Sequence, residues 1–149
     1  MTAKDSRTKQ KASHVGAPAI FALELACRDL NEAFGGFGCY LVGSALSRSD
    51  WRDVDIRYIM SDADFAILFP NAGQYWEHDA RWLLLTVAIS ERLQKLTGLP
   101  IDFQIQPQTH ANARHPGPRN AMGLRISRQK QVTGEHQPDR NTRRAIDNL

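Results

Sequence analysis

The sequence predicts an α/β fold in which strands alternate with helices. Three observations lead there. Residues 53–60 and 101–106 alternate apolar and polar side chains with the period of two that half-buried strands require. A long segment between them repeats apolar residues at helical spacing, as an amphipathic helix does. Residues 38–42 form a short apolar run with Tyr and Val, bounded by glycines, as a buried strand does. At 149 residues the chain fits one domain that can bury its own core.

Taken in order, residues 1–16 offer almost nothing to bury and are expected to be a disordered basic tail, with order beginning near Pro18. Ile20, Leu23, Ala26, Leu30 and Phe34 recur at helical spacing until Gly35-Gly36 stops the run. The strand at 38–42 comes next and runs directly into Gly43-Ser44. After a polar connection, the strand at 53–60 places Val54, Ile56, Tyr58 and Met60 on one face and Asp53, Asp55 and Arg57 on the other. Ser61 opens a capping-box-like S-D-A-D that starts a short helix through Leu68, ended by Pro70-Asn71. The clearest helix spans about 77–97, with Trp82, Leu85, Ile89, Leu93 and Leu96 on one stripe and Gly98 as its stop. The strand at 101–106 then alternates Ile101, Phe103 and Ile105 with Asp102, Gln104 and Gln106. A short helix is expected at 108–113, a rigid turn at 115–118 and a short edge strand at 122–126. The expected division is therefore a domain over 17–126, with a basic and mobile tail over 127–149.

Composition narrows the function. No apolar run is long enough to cross a bilayer, and the polar, basic start lacks a secretory signal, so a cytoplasmic protein is expected. Cys27 and Cys39 sit inside apolar patterns and read as buried reduced thiols, with neither zinc nor redox work implied. Charge is uneven along the chain. The first 17 residues carry four Lys/Arg against one acid, and residues 111–149 carry eight against three. That leaves residues 18–110 with seven basic and 12 acidic groups. An acidic centre suits cations, whereas basic ends either contact a polyanion such as nucleic acid or keep tails solvated.

The acidic residues that matter are Asp53, Asp55 and Asp102. The first two are two apart on one strand, so both carboxylates leave the same face while Val54 and Ile56 anchor the other. Adjacent carboxylates repel unless solvated, protonated or bridged, and a hard divalent cation with oxygen ligands is the natural bridge. Asp102 repeats the apolar-Asp-apolar pattern on a second strand. His78, His110 and His115 lack ligand-like spacing.

Val42-Gly43-Ser44, Asp53-Val54-Asp55-Ile56 and Ile101-Asp102-Phe103, in this order over roughly residues 18–107, resemble the nucleotidyltransferase superfamily. That superfamily includes DNA polymerase beta and the aminoglycoside and small antitoxin-type nucleotidyltransferases. The resemblance implies a mixed β-sheet flanked by helices, a nucleotidyltransferase-like fold in which Gly43, Ser44 and the following backbone N–H groups bind phosphates, helped by a short helix's positive end. It implies that Asp53, Asp55 and Asp102 are the catalytic residues and hold two Mg2+ or Mn2+ ions, with Asp102 on the side of the attacking hydroxyl. The implied reaction transfers a nucleoside monophosphate from a nucleoside triphosphate such as ATP to a hydroxyl, releasing pyrophosphate. The acceptor is left open among a small molecule, a protein and a nucleic acid, and a homo-oligomer or partner protein would suit so small a domain.

This sequence also departs from the family. Many relatives place an arginine two residues after the serine and a glycine soon after, where this chain reads Ala45-Leu46-Ser47-Arg48. Arg48 and Arg52 are the candidates to neutralise phosphate instead, with ordinary surface arginines as the competing reading. Arg57, on the face of the aspartates, either contacts a phosphate or pairs with Asp55. The altered loop motivates an alternative, a catalytically inactive binding or assembly module. The basic ends motivate another, a small nucleic-acid-binding protein, although few aromatics lie among them to stack on bases.

Overall fold

The computed structural model describes residues 13–123. Its elements are α1 (Ala19–Phe34), β1 (Gly38–Val42), β2 (Val54–Met60), α2 (Asp62–Leu68), α3 (Ala80–Thr97), β3 (Ile101–Pro107), α4 (Gln108–Arg114) and β4 (Asn120–Met122), with 3₁₀ turns at Ser44–Leu46 and Gly73–His78. The four strands lie in the order β3-β2-β1-β4, with β2 and β3 parallel and the other pairs antiparallel. The alternating segments are strands and helices of an α/β fold, as predicted, and the sheet is mixed and helix-flanked, as the resemblance implied. The parallel pair requires the long crossover that α2, the second 3₁₀ turn and α3 provide.

The period-two pattern decides which face is covered. Leu41, Val54, Ile56, Tyr58, Phe103 and Ile105 are buried in the main core, beneath α1 and α3. Leu23, Ala26, Cys27 and Leu30 of α1, with Trp82, Ile89 and Leu93 of α3, meet them. Both cysteines are free and buried, as their apolar surroundings implied. β3 is an edge strand, and α3 covers its edge: Trp82 Nε1, Ser90 Oγ and Gln94 Nε2 donate to the carbonyls of Ile105, Phe103 and Ile101 at 2.8, 3.4 and 3.0 Å. At the opposite side Asn31 of α1 donates to the Met122 carbonyl at 2.9 Å and accepts from Cys39 N at 2.8 Å, tying α1 to β1 and β4.

Several boundaries differ from expectation, each for a local reason. α3 begins at Ala80 rather than near Glu77, because Asp79 takes an extended conformation and caps Trp82 N at 3.0 Å. Its buried stripe is Trp82, Thr86, Ile89 and Leu93, while Leu96 is 49% exposed. Thr86 occupies the i+4 position that a hydrophobicity pattern passes over. β4 covers 120–122 and stops at Gly123, whose φ of 71° and close approach to the Cys27 and Arg28 backbone exclude a side chain. The remainder of the strand expected at 122–126 lies outside the described residues, as do the tail expected at 127–149 and most of the one at 1–16. Order begins earlier than Pro18, since Val15 is buried in the core and His14 N donates to the Ala45 carbonyl at 2.7 Å. No described helix is long and apolar enough to cross a membrane.

Candidate active site

The second face of the sheet is built differently. Register puts Val42 beside Asp55 and Tyr40 beside Arg57, and pairs Asp55 with Asp102 and Arg57 with Gln104 across the parallel strands. These side chains all leave the face opposite the helices. Val42, Ile59 and Ala111 are buried yet stand apart from the main core, where α4 turns back over β2 and β3.

Asp55 and Asp102 are therefore neighbours on adjacent strands. Burial pushes the Asp55 carboxyl above the usual carboxylate range; Arg57 pulls it down, and the carboxylates of Asp102 and Asp53 push it up again. Asp53 lies just before β2 and is exposed. The structure thus brings Asp55 and Asp102 together and leaves Asp53 at the rim. Among the described residues no group of three or more His, Cys, Asp or Glu side chains converges closely enough to hold a metal ion. The donor chemistry still fits a hard divalent cation: Asp55 and Asp102 offer carboxylate oxygens from paired strand positions, the Asp102 charge disfavours an ionised Asp55 unless a cation offsets it, and Asp55 Oδ2 packs where a neighbouring residue has an absent side chain.

That absent side chain is at Gly43. Its φ of 76° and ψ of −156° belong to glycine, and a Cβ there would overlap Asp55 Oδ2. β1 is thus followed directly by a residue that must be glycine on two counts, and Ser44 opens a single 3₁₀ turn after it. The expected short helix after Gly-Ser is this one turn, closed by Leu46 N to the Gly43 carbonyl at 3.2 Å and Ser47 N to the Ser44 carbonyl at 3.1 Å.

The Arg57 side chain is turned toward the acids. It is 7% exposed, and Nη1 donates to the Ile56 and Asp102 carbonyls at 3.1 and 2.8 Å. Nη2 donates to Asp102 Oδ2 at 3.2 Å and stands 4.0 Å from Asp55 Oδ1. Its main carboxylate partner is Asp102, across the strand, where the sequence pointed to Asp55. Arg48 forms a two-pronged pair with Asp50 at 2.9 and 2.7 Å, exposed on the loop, and this pair holds the Asp50 carboxyl below its usual range. Arg52 is exposed on the same loop. Neither is drawn toward the paired aspartates by a hydrogen bond in this structure.

Sequence reasoning passed over the positive charge that α4 delivers to this face. Burial, then Arg57, Arg119, Arg114 and His110, lower the His115 pKa, so its imidazole is neutral near pH 7. The Arg119 guanidinium lies 5.9 Å from the centre of the Tyr40 ring, on the strand position paired with Arg57. The available signal was the rise in basic content after residue 110, which composition read as a basic end for contacting a polyanion or for solvation. Compared with known proteins, the chain matches no protein-family model, no curated protein and no solved structure.

Proposed function

We propose that this chain is a metal-dependent nucleotidyltransferase domain, which moves a nucleoside monophosphate from a nucleoside triphosphate to a hydroxyl and releases pyrophosphate. The observation that carries the reading is the register pair Asp55 and Asp102 on parallel strands, with Gly43 seated against the Asp55 carboxylate. Asp53, Asp55 and Asp102 would hold Mg2+ or Mn2+, which when bound supplies charge neutralisation at the transferring phosphoryl group and a more acidic acceptor hydroxyl. The acceptor oxygen would form a bond to the α-phosphorus as the bond to pyrophosphate breaks, and the half-exposed Asp102 would take the hydroxyl proton. The missing side chain at Gly43 lets the Asp55 carboxylate pack against the turn, and Ser44 would offer phosphate its hydroxyl and the turn's backbone N–H groups. Arg114 and Arg119 join Arg48 and Arg52 as candidates for phosphate contact, because they surround the same face.

A second reading, a catalytically inactive binding module, is favoured by one specific observation: Arg57 already partners the Asp102 carboxylate. One experiment separates the two. Purified protein is incubated with each nucleoside triphosphate, Mg2+ or Mn2+, and a panel of small-molecule, protein and 3′-hydroxyl acceptors, and pyrophosphate is measured. Metal-dependent release that Asp55→Asn abolishes is expected. Binding without release for every acceptor transfers the assignment to the inactive module.

A further inference from the structure

The face that carries the paired aspartates also contains its own cation, and how that cation is held decides what it can do. The Arg57 side chain is 9% exposed, against 48% for Asp102 and 25% for Asp55. Two backbone carbonyls, of Ile56 and Asp102, accept from Nη1, and these acceptors belong to the strands themselves. The guanidinium therefore stays where it is when a side-chain partner leaves. Asp102, with one carboxylate oxygen on Nη2 and half its side chain in solvent, is the member that can turn. Arg57 Nε is buried with no hydrogen-bond partner among the described residues, so this is not a fully satisfied structural arginine.

From this we infer that Arg57 is a positioning residue that competes with a divalent ion for Asp102. The carboxylates consequently take the free ion weakly and take it strongly only together with a polyanionic triphosphate. This rests on the nucleotidyltransferase reading above. An ion held by Asp55 and Asp102 would meet the repulsion of the fixed Arg57 guanidinium in a partly buried place, where like charges are poorly screened. Arg114 at the end of α4 adds positive charge near His115, as Arg57 does, and Arg119, just before β4, adds more over the Tyr40 ring. A triphosphate reverses the sign of the effect, because its negative charge lies among these cations and turns Arg57 from a competitor into a support. The arrangement makes metal occupancy conditional on nucleotide and leaves Asp102 aligned by Arg57 when the ion is absent.

The test is titration of the full chain with Mn2+, followed by the electron paramagnetic resonance of the free ion, with and without a non-hydrolysable triphosphate analogue. Arg57→Gln removes the charge and should bind Mn2+ alone about tenfold tighter than the wild type, whereas Arg57→Lys keeps the charge and should stay within about threefold of it. Adding Asp55→Asn to Arg57→Gln should erase the gain. An Arg57→Gln protein that is folded by circular dichroism and binds Mn2+ no tighter than the wild type overturns the inference, as does an Arg57→Lys protein that gains as much as Arg57→Gln. If Arg57→Gln loses cooperative thermal unfolding, Arg57→Met, which keeps the buried stem, replaces it under the same criteria. The two readings fail separately. Tighter Mn2+ binding by Arg57→Gln with no effect of triphosphate on any protein supports the competition and defeats the nucleotide reading. Triphosphate-dependent Mn2+ binding by the wild type with no gain in Arg57→Gln does the reverse.

Discussion

The two faces of the sheet are drawn from the same strands and do opposite things. Under α1 and α3, alternate residues of β2 and β3 are Val54, Ile56, Tyr58, Ile101, Phe103 and Ile105, all in the main core. On the other side, the residues between them are Asp55, Arg57, Ile59, Asp102, Gln104 and Gln106. One face buries apolar surface and supplies stability; the other holds charge close together, where every group's energy depends on its neighbours. Since strand geometry separates successive side chains by face, a substitution on one should leave the other nearly untouched. That independence is what the following measurements break or sharpen.

The largest effect is expected on the charged face. Asp102→Asn should lower pyrophosphate release by about a thousandfold or more, equivalent to roughly 4 kcal/mol of barrier. Its thermal midpoint should stay close to the wild type's, because the asparagine carbonyl still accepts from Arg57. Turnover at the wild-type rate would remove Asp102 from the chemistry. On the covered face, Phe103→Ala, one residue away, should do the converse and cost about 3–5 kcal/mol of stability by leaving a cavity in a fully buried position. Chemical denaturation reads this, and a loss below about 1 kcal/mol would mean that the core beneath α3 collapses to fill the space.

Gly43→Ala lies between the faces and should be felt on both. The positive φ alone costs about 1–2 kcal/mol for an alanine, and the new methyl meets the Asp55 carboxylate. A lower unfolding midpoint together with weaker triphosphate binding is expected. An unaffected midpoint would show that the turn relaxes out of its glycine-only conformation.

Much of this was legible from the residues in order. The alternation at 53–60 and 101–106 gave the strands and their faces, and Ser61 was readable as a cap, which it is, accepting from Asp64 N at 3.0 Å. Asp55 and Asp102 could be named because both strands carry an acid between apolar anchors. Their direct pairing needed the register of a parallel pair across some forty residues of crossover, and no local pattern encodes that. Arg57 was visible on the right face, yet its partner depended on which strand lay beside it. The α4 contribution was hidden for a different reason: Arg114 and Arg119 look like any basic stretch until the chain is seen to turn back over the sheet. Thr86 went unread because its buried position violates the pattern that identifies buried positions.

The smallest expected effect bears most directly on the charged face. Asp55 is the carboxylate whose charge this structure disfavours, through burial and through Asp102 and Asp53, against the pull of Arg57. A carboxyl with a raised pKa in the folded state binds its proton more tightly there than in the unfolded chain. Its stabilising contribution is therefore present in acid and is lost as pH rises from the ordinary carboxylate range through the raised value. At pH 7 the metal-free protein carries the whole cost, and Asp55→Asn should relieve it. Because the carboxylate is only half-buried, screening limits the gain to less than about 1 kcal/mol, a rise of about 1–3 °C in unfolding midpoint for a chain of this size. The difference between the two proteins should shrink toward acid, where the wild-type carboxyl is neutral. Excess Mn2+ with triphosphate should reverse the order, since only the wild type offers the charge that the ion rewards. A metal-free Asn variant less stable than the wild type at pH 7 would mean that Arg57 already satisfies both aspartates. The charged face would then be as self-sufficient as the covered one, and its case for recruiting a cation would be lost.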